Sequence, residues 1–196
     1  MNTQSHAVLN LALLSQQFPA SAALTIAIGA ILPDAPMFVL YAWAKLIRRQ
    51  SEYQIWTETY NLPFWQNIIA TFHSIPLALL GFVVAYYANW QVAEILCLSM
   101  VLHALLDLPV HSEDAHRHFF PFSHYRFISP ISYWDPRYHG AIVAGVEKLL
   151  VLAATLYVFP LIHSPIGRGI LVAINLLHLI IIVYLRVVKP RFLASG

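Results

Sequence analysis

Residues 102–140 hold six of the ten histidines and four of the nine acids: His103, Asp107, His111, Glu113, Asp114, His116, His118, His124, Asp135 and His139. On a helix, the i, i+4 spacing of His103 and Asp107 sets an imidazole and a carboxylate one turn apart on one face. That pair suits joint binding of a divalent metal. His111 continues the progression, but Pro109 is expected to break the register before it. His116 and His118 alternate as on an extended segment and are weaker candidates, because loop histidines are usually solvated. Elsewhere, His73 beside Ser74 and Asp34 between Pro33 and Pro36 are polar residues in apolar surroundings. Asp34 is also placed to cap a helix beginning at Ala35. Glu147 lies about two turns into an apolar stretch, where it either faces the site or snorkels. His163 and His178 stand apart from the cluster and read as structural.

Composition sets the elements that must position these residues. With 59% apolar and 10% charged residues and a mean hydropathy of +0.66, the chain departs from soluble domains, in which about a quarter of residues are charged. It reads as an integral membrane protein, and an intramembrane His or Asp is costly unless paired and more often functional than not. No repeat or polar linker divides it, so residues 1–196 form one domain. A formal charge of +2 with scattered basic residues leaves no nucleic-acid footprint. Cys97 is alone, which excludes an intramolecular disulfide. Met1–His6 contains no Lys or Arg, so a cleaved secretory signal is not expected.

The fold class expected is all-α, a polytopic helical bundle of about five spans with a broken or re-entrant N-terminal segment. Residues 7–32 are interrupted at Gln16, Gln17 and Pro19, and each half is too short for a bilayer core that takes roughly 20 helical residues. A helix from Ala35 to about Gln50 should follow. Residues 51–67, with Trp56, Tyr60 and Trp65, read as an interfacial connection. Spans are expected at 68–88 with a kink at Pro76, at 92–110, at 141–162 and at 167–188, with a polar loop at 111–140. Lys45, Arg48, Arg49, Arg117, Arg126, Arg137, Arg186, Lys189 and Arg191 then share one side, against Arg168 on the other. The positive-inside rule puts that side, with the long loop and the C-terminus, in the cytoplasm. The same arrangement brings His73 level with His103 and Asp107.

The sequence lacks His-Glu-x-x-His, Gly-x-Ser-x-Gly, a Walker loop and paired Cys-x-x-Cys, which removes zincin, serine-hydrolase, nucleotide and zinc-finger readings. A His and Asp site without thiolate suits zinc first, with manganese or iron as alternatives, rather than copper(I). Such a site most readily supports hydrolysis, by activating water and polarising a carbonyl or phosphoryl oxygen.

Ser5-His6, Gly29 to Pro33-Asp34, Thr71 to His73-Ser74, Leu102-His103 to Asp107, and then Phe120-Pro121 to Ser123 follow in order over most of residues 5–125. This series resembles the membrane-bound metal-dependent hydrolases, also described as LexA-binding inner-membrane hydrolases. The resemblance implies that His6, Asp34, His73, His103 and Asp107 gather at a metal site in a bacterial inner membrane. Where that family continues its Pro-Asp with a second Asp and a His, this chain has Pro36 and Met37, which removes two potential ligands. The expected function is metal-dependent hydrolysis of an ester, amide or phosphoester of an amphiphilic or lipid-derived substrate. Its catalytic residues would be Asp34, His73, His103 and Asp107, with His111, His116, His118 and Glu147 as possible additions. The other classes compatible with the same ligands are a metal-binding transporter or sensor, and a non-catalytic membrane scaffold.

Overall fold

A computed structural model describes residues 1–183, and among them there are helices and loops but no strand. Arg186, Lys189, Arg191 and the end of the last expected span lie outside the described residues. Among the described residues, three helices are long and apolar enough to cross a membrane, Ala20–Ile47, Gln91–Val110 and Gly140–Val158, and a bent pair makes a fourth if taken as one span. The last helix counts there as a shorter apolar helix, Pro165–Ile181, and the expected fifth span runs past it to residues outside the described part of the chain.

The N-terminal helix α1 (Thr3–Leu14) has 12 residues. At about 1.5 Å per residue it is too short for a hydrocarbon core of about 30 Å. The chain breaks before Pro19, as the polar interruption suggested. The second half then differs from expectation, because it runs straight on as α2 (Ala20–Ile47), 28 residues long. Pro33 and Pro36 do not stop it: each occupies the first turn of a helical segment, Leu32–Asp34 and Ala35–Ala42, where a missing N–H costs little. Asp34 therefore has helical backbone (φ −82°, ψ −16°) and makes no side-chain cap. Its carboxylate is buried instead.

The connection after α2 holds a short helical turn, Glu52–Gln54, closed by a capping box between Ser51 and Gln54. Helix α3 (Pro63–Phe72) begins inside the stretch read as a connection, and α4 (Ile75–Tyr87) follows at a bend of 46°. The bend is not a kink within one helix at Pro76. It is a stop and restart at His73 and Ser74: the Ser74 hydroxyl accepts from Leu77 N–H at 3.2 Å and donates to the Phe120 carbonyl. Pro76 falls in the first turn of α4, where it is tolerated. After a turn in which Asn89 adopts a left-handed conformation (φ 54°), α5 (Gln91–Asp107) leads into a 3-10 turn, Leu108–Val110. Residues 111–139 form the long loop, and α6 (Gly140–Val158) and α7 (Pro165–Val183) complete the described chain.

Helix α1 is the centre of the bundle. Val8 packs with Val151, Ala154, Val158 and Leu171 of α6 and α7, and Leu14 packs with Ala22, Ile26 and Ile95 of α2 and α5. A buried polar seam joins the same helices. Asn10 Nδ2 donates to the Ser99 carbonyl and hydroxyl, both at 2.8 Å, and the Ser99 hydroxyl donates to the Ile26 carbonyl at 2.7 Å. Gly29 allows the close crossing of α2 on α5, since a Cβ there would stand 2.6 Å from the Leu96 carbonyl oxygen. Small residues and interhelical hydrogen bonds are what hold helices together in lipid, where apolar burial gives no drive. The outer faces of α4, α6 and α7 expose Leu80, Val84, Leu149, Leu156, Ile166 and Ile180, an apolar surface suited to lipid rather than water.

Candidate metal centre

Two histidines are fixed by backbone carbonyls. The close approach at Gly29 brings the Ala30 carbonyl to 2.6 Å from His103 Nδ1, and at the end of α3 the Ile69 carbonyl lies 2.9 Å from His73 Nδ1. A carbonyl can only accept, so both rings carry the proton on Nδ1 and offer a lone pair at Nε2. Both rings are fully buried, and neither Nε2 has a hydrogen-bond partner.

Those two nitrogens face carboxylates. His73 Nε2 is 3.4 Å from Asp34 Oδ1 and 4.0 Å from Asp107 Oδ2, and His103 Nε2 is 3.7 Å and 3.1 Å from the same two atoms. Four lone-pair atoms converging in a buried pocket repel unless a cation stands between them. Four ligands placed tetrahedrally at about 2.1 Å from a zinc ion would be roughly 3.4 Å apart, a value the four nitrogen-to-carboxylate spacings bracket, and Asp34, His73 and His103 form one set with ligand atoms mutually within 4.8 Å. The residues present therefore fit a divalent ion, whose two charges balance the two carboxylates. Thr3 supports the pocket from α1, donating its hydroxyl to Asp34 Oδ2 at 2.5 Å.

Asp107 turns its other oxygen the opposite way. Oδ1 lies 2.9 Å from His6 Nε2, 3.1 Å from His111 Nε2 and 2.7 Å from the Met1 ammonium. The His6 ring stacks on His103 at 3.7 Å, and His116 stands 4.0 Å from His73, ring centre to ring centre. Three sets have ligand atoms mutually within 4.8 Å: His6, His103 and Asp107; Asp34, His73 and His103; and His73, Asp107 and His116. They form one contiguous cluster.

The long loop closes over this cluster. Arg117 donates to the Gln66 carbonyl at 2.6 Å, and Ile75 N–H donates to the His118 carbonyl at 2.9 Å, tying the loop to the α3–α4 break. Burial, with His73 and His111 nearby, holds His116 well below the usual histidine range, and burial, with His73 nearby, lowers His118 to about 4. Burial also disfavours charge on His111, but Asp107 and then Asp114 outweigh it and raise its pKa. At neutral pH His116 and His118 are therefore uncharged bases.

The structure brings His6, Asp34, His73, His103, Asp107, His111 and His116 together. His118 is buried beside them with neither ring nitrogen bonded. Glu147 lies apart from the three ligand sets: its Oε1 accepts from Asn2 N–H at 3.0 Å and from Asn2 Nδ2 at 2.8 Å, anchoring the positive end of α1. His178 packs near Gln4, and His163 is exposed. Sequence reasoning missed Thr3 and the carbonyls of Ala30 and Ile69. It also undervalued His111, because the 3-10 turn containing Pro109 carries the chain on so that His111 still reaches Asp107. No family model, no curated protein and no solved structure matches the chain.

Proposed function

We propose that this chain is a membrane-embedded, metal-dependent hydrolase acting on an ester, amide or phosphoester of an amphiphilic or lipid-derived substrate. The observation that supports it most is the pair of buried, unpartnered Nε2 atoms of His73 and His103 aimed at Asp34 and Asp107. Zinc suits this donor set best, and manganese or iron is compatible. A divalent ion held there supplies Lewis acidity toward a carbonyl or phosphoryl oxygen and acidifies water.

The chain's own residues supply the rest. Asp34, His73, His103 and Asp107 would hold the ion, and the Ala30 and Ile69 carbonyls fix the two ring tautomers. His118 keeps a free, uncharged nitrogen beside the cluster, able to take a proton from water and return it to a leaving group. The loop shields the pocket from bulk water, while the apolar outer faces of the helices favour a substrate that approaches from lipid.

Lys45 lies in the last turn of α2 with Arg48 and Arg49 just beyond it, and Trp43 of that end packs on Trp65, next to the Gln66 to which Arg117 and Arg126 donate. Under the positive-inside rule this side is cytoplasmic, and the resemblance points to a bacterial inner membrane. The test is turnover of generic ester, amide and phosphoester substrates by protein purified in detergent. Activity that disappears with chelator and returns with zinc supports the proposal. Metal-loaded protein inert toward all three classes would refute hydrolysis while leaving the metal centre standing.

A further inference from the structure

We propose that the centre is binuclear, with Asp107 bridging two divalent cations, one among Asp34, His73 and His103 and the other beside His6 and His111. The inference rests on the metal-centre reading above and extends it. Its first support is the orientation of Asp107: Oδ2 belongs to the pocket of His103 and His73, whereas Oδ1 belongs to a second pocket with His6 and His111. A carboxylate whose two oxygens serve two separate imidazole pairs is placed to bridge. The three ligand sets are linked through Asp107, His73 and His103, each of which belongs to two of them; His111 lies outside these sets and joins the cluster through its 3.1 Å approach to Asp107 Oδ1, which keeps the two positions as close as paired ions about 3.5–4 Å apart require.

The second support is the environment of His111. Its Nδ1 is 2.9 Å from Asp114 Oδ2, and Asp114 in turn accepts from Trp134 Nε1 at 2.9 Å and from Ser112 N–H at 3.2 Å. A carboxylate behind the ring at Nδ1 orients Nε2 toward Asp107, the outer-shell pattern of metal-ligating histidines. His111 Nε2 and Asp107 Oδ1 stand 3.1 Å apart. The Met1 ammonium stands between them, 2.8 Å from His111 Nε2 and 2.7 Å from Asp107 Oδ1. The second pocket is thus one that already accommodates positive charge. His6, fully buried with its Nε2 2.9 Å from Asp107 Oδ1, completes it.

The test uses full-length protein in detergent, stripped of metal and titrated with Mn2+ alone, read by metal content per chain and by electron paramagnetic resonance. The expected result is two Mn2+ per chain with an exchange-coupled signal, falling to one per chain with an isolated six-line signal in His111→Ala. His111→Gln, which keeps more of the ring's volume, repeats the comparison should the alanine variant fold poorly. Saturation of the wild type at one six-line Mn2+ would overturn the binuclear proposal and leave the single-ion centre intact. Failure to bind any Mn2+ or Zn2+ would overturn both.

Discussion

Gly29→Ala perturbs the centre from a distance, and its effect can be worked from the helix crossing. The new Cβ would stand 2.6 Å from the Leu96 carbonyl oxygen and 2.8 Å from Ser99 Cβ, where ordinary contact begins at 3.4 Å. The first obstacle is backbone, so α2 and α5 must separate locally by about 0.8 Å. Applied to the His103–Ala30 bond of 2.6 Å and the Ser99–Ile26 bond of 2.7 Å, that shift stretches both to about 3.4–3.5 Å, beyond good hydrogen-bond range. Overpacking costs about 1–3 kcal/mol and each lost interhelical bond in a membrane about 0.6 kcal/mol, giving a loss of about 2–4 kcal/mol. With the Ala30 carbonyl withdrawn, the proton of His103 is no longer held on Nδ1, and metal affinity should fall about 10–100-fold. The assay is zinc titration in detergent against a competing chelator, with thermal denaturation run in parallel. Gly145→Ala is the control, since nothing lies within 4 Å of its Cβ position. Gly29→Ala with the zinc affinity and melting point of Gly145→Ala would show that the α2–α5 crossing does not position His103.

Asp107→Ala and His103→Ala should each abolish stoichiometric zinc retention with the protein still monodisperse, whereas His163→Ala and His178→Ala should retain it, as read by metal analysis per chain. The depressed pKa of His118, about 4 against an ordinary value near 6.5, sets a pH dependence. Because the unfolded chain binds the proton more readily, stability is fully present above about pH 6.5 and declines toward pH 4, by at most about 1.4 kcal/mol per pH unit. Thermal melts of wild type and His118→Gln at pH 7 and pH 5 should show a shallower decline in the variant. Zinc at about 100 times its dissociation constant should stabilise the protein by about 2.7 kcal/mol, visible as a rise in melting temperature that Asp34→Ala removes.

The parts of the site legible in the sequence are those with a local signal. His103 and Asp107 share a helical face in an apolar span, and His73 is a polar residue in a similar setting, so their costs in lipid mark them. Asp34 was legible as a polar residue in apolar surroundings, but its flanking prolines follow the pattern of a helix start, so capping competed with a place in the site until the resemblance put it there. Local rules do not reveal that Pro33 and Pro36 sit in the first turns of segments that join into one helix. His6 carries no local signal either: its burial comes from the central position of α1, which is a tertiary property. Backbone anchors such as Ala30 and Ile69 have no side-chain signature at all. The break at His73 and Ser74 was displaced toward Pro76 for a related reason. The Ser74 cap and its bond to the Phe120 carbonyl depend on a loop contact 46 residues away.

Whether Asp34, His73, His103 and Asp107 hold a divalent ion is read by X-ray absorption at the zinc edge of the purified, zinc-loaded protein. The expected spectrum has nitrogen and oxygen scatterers only, at roughly 2.0–2.2 Å, with imidazole contributions that are lost in a His73→Ala, His103→Ala double variant. A spectrum of hydrated zinc free in solution, or one unchanged by removal of both histidines, would contradict it.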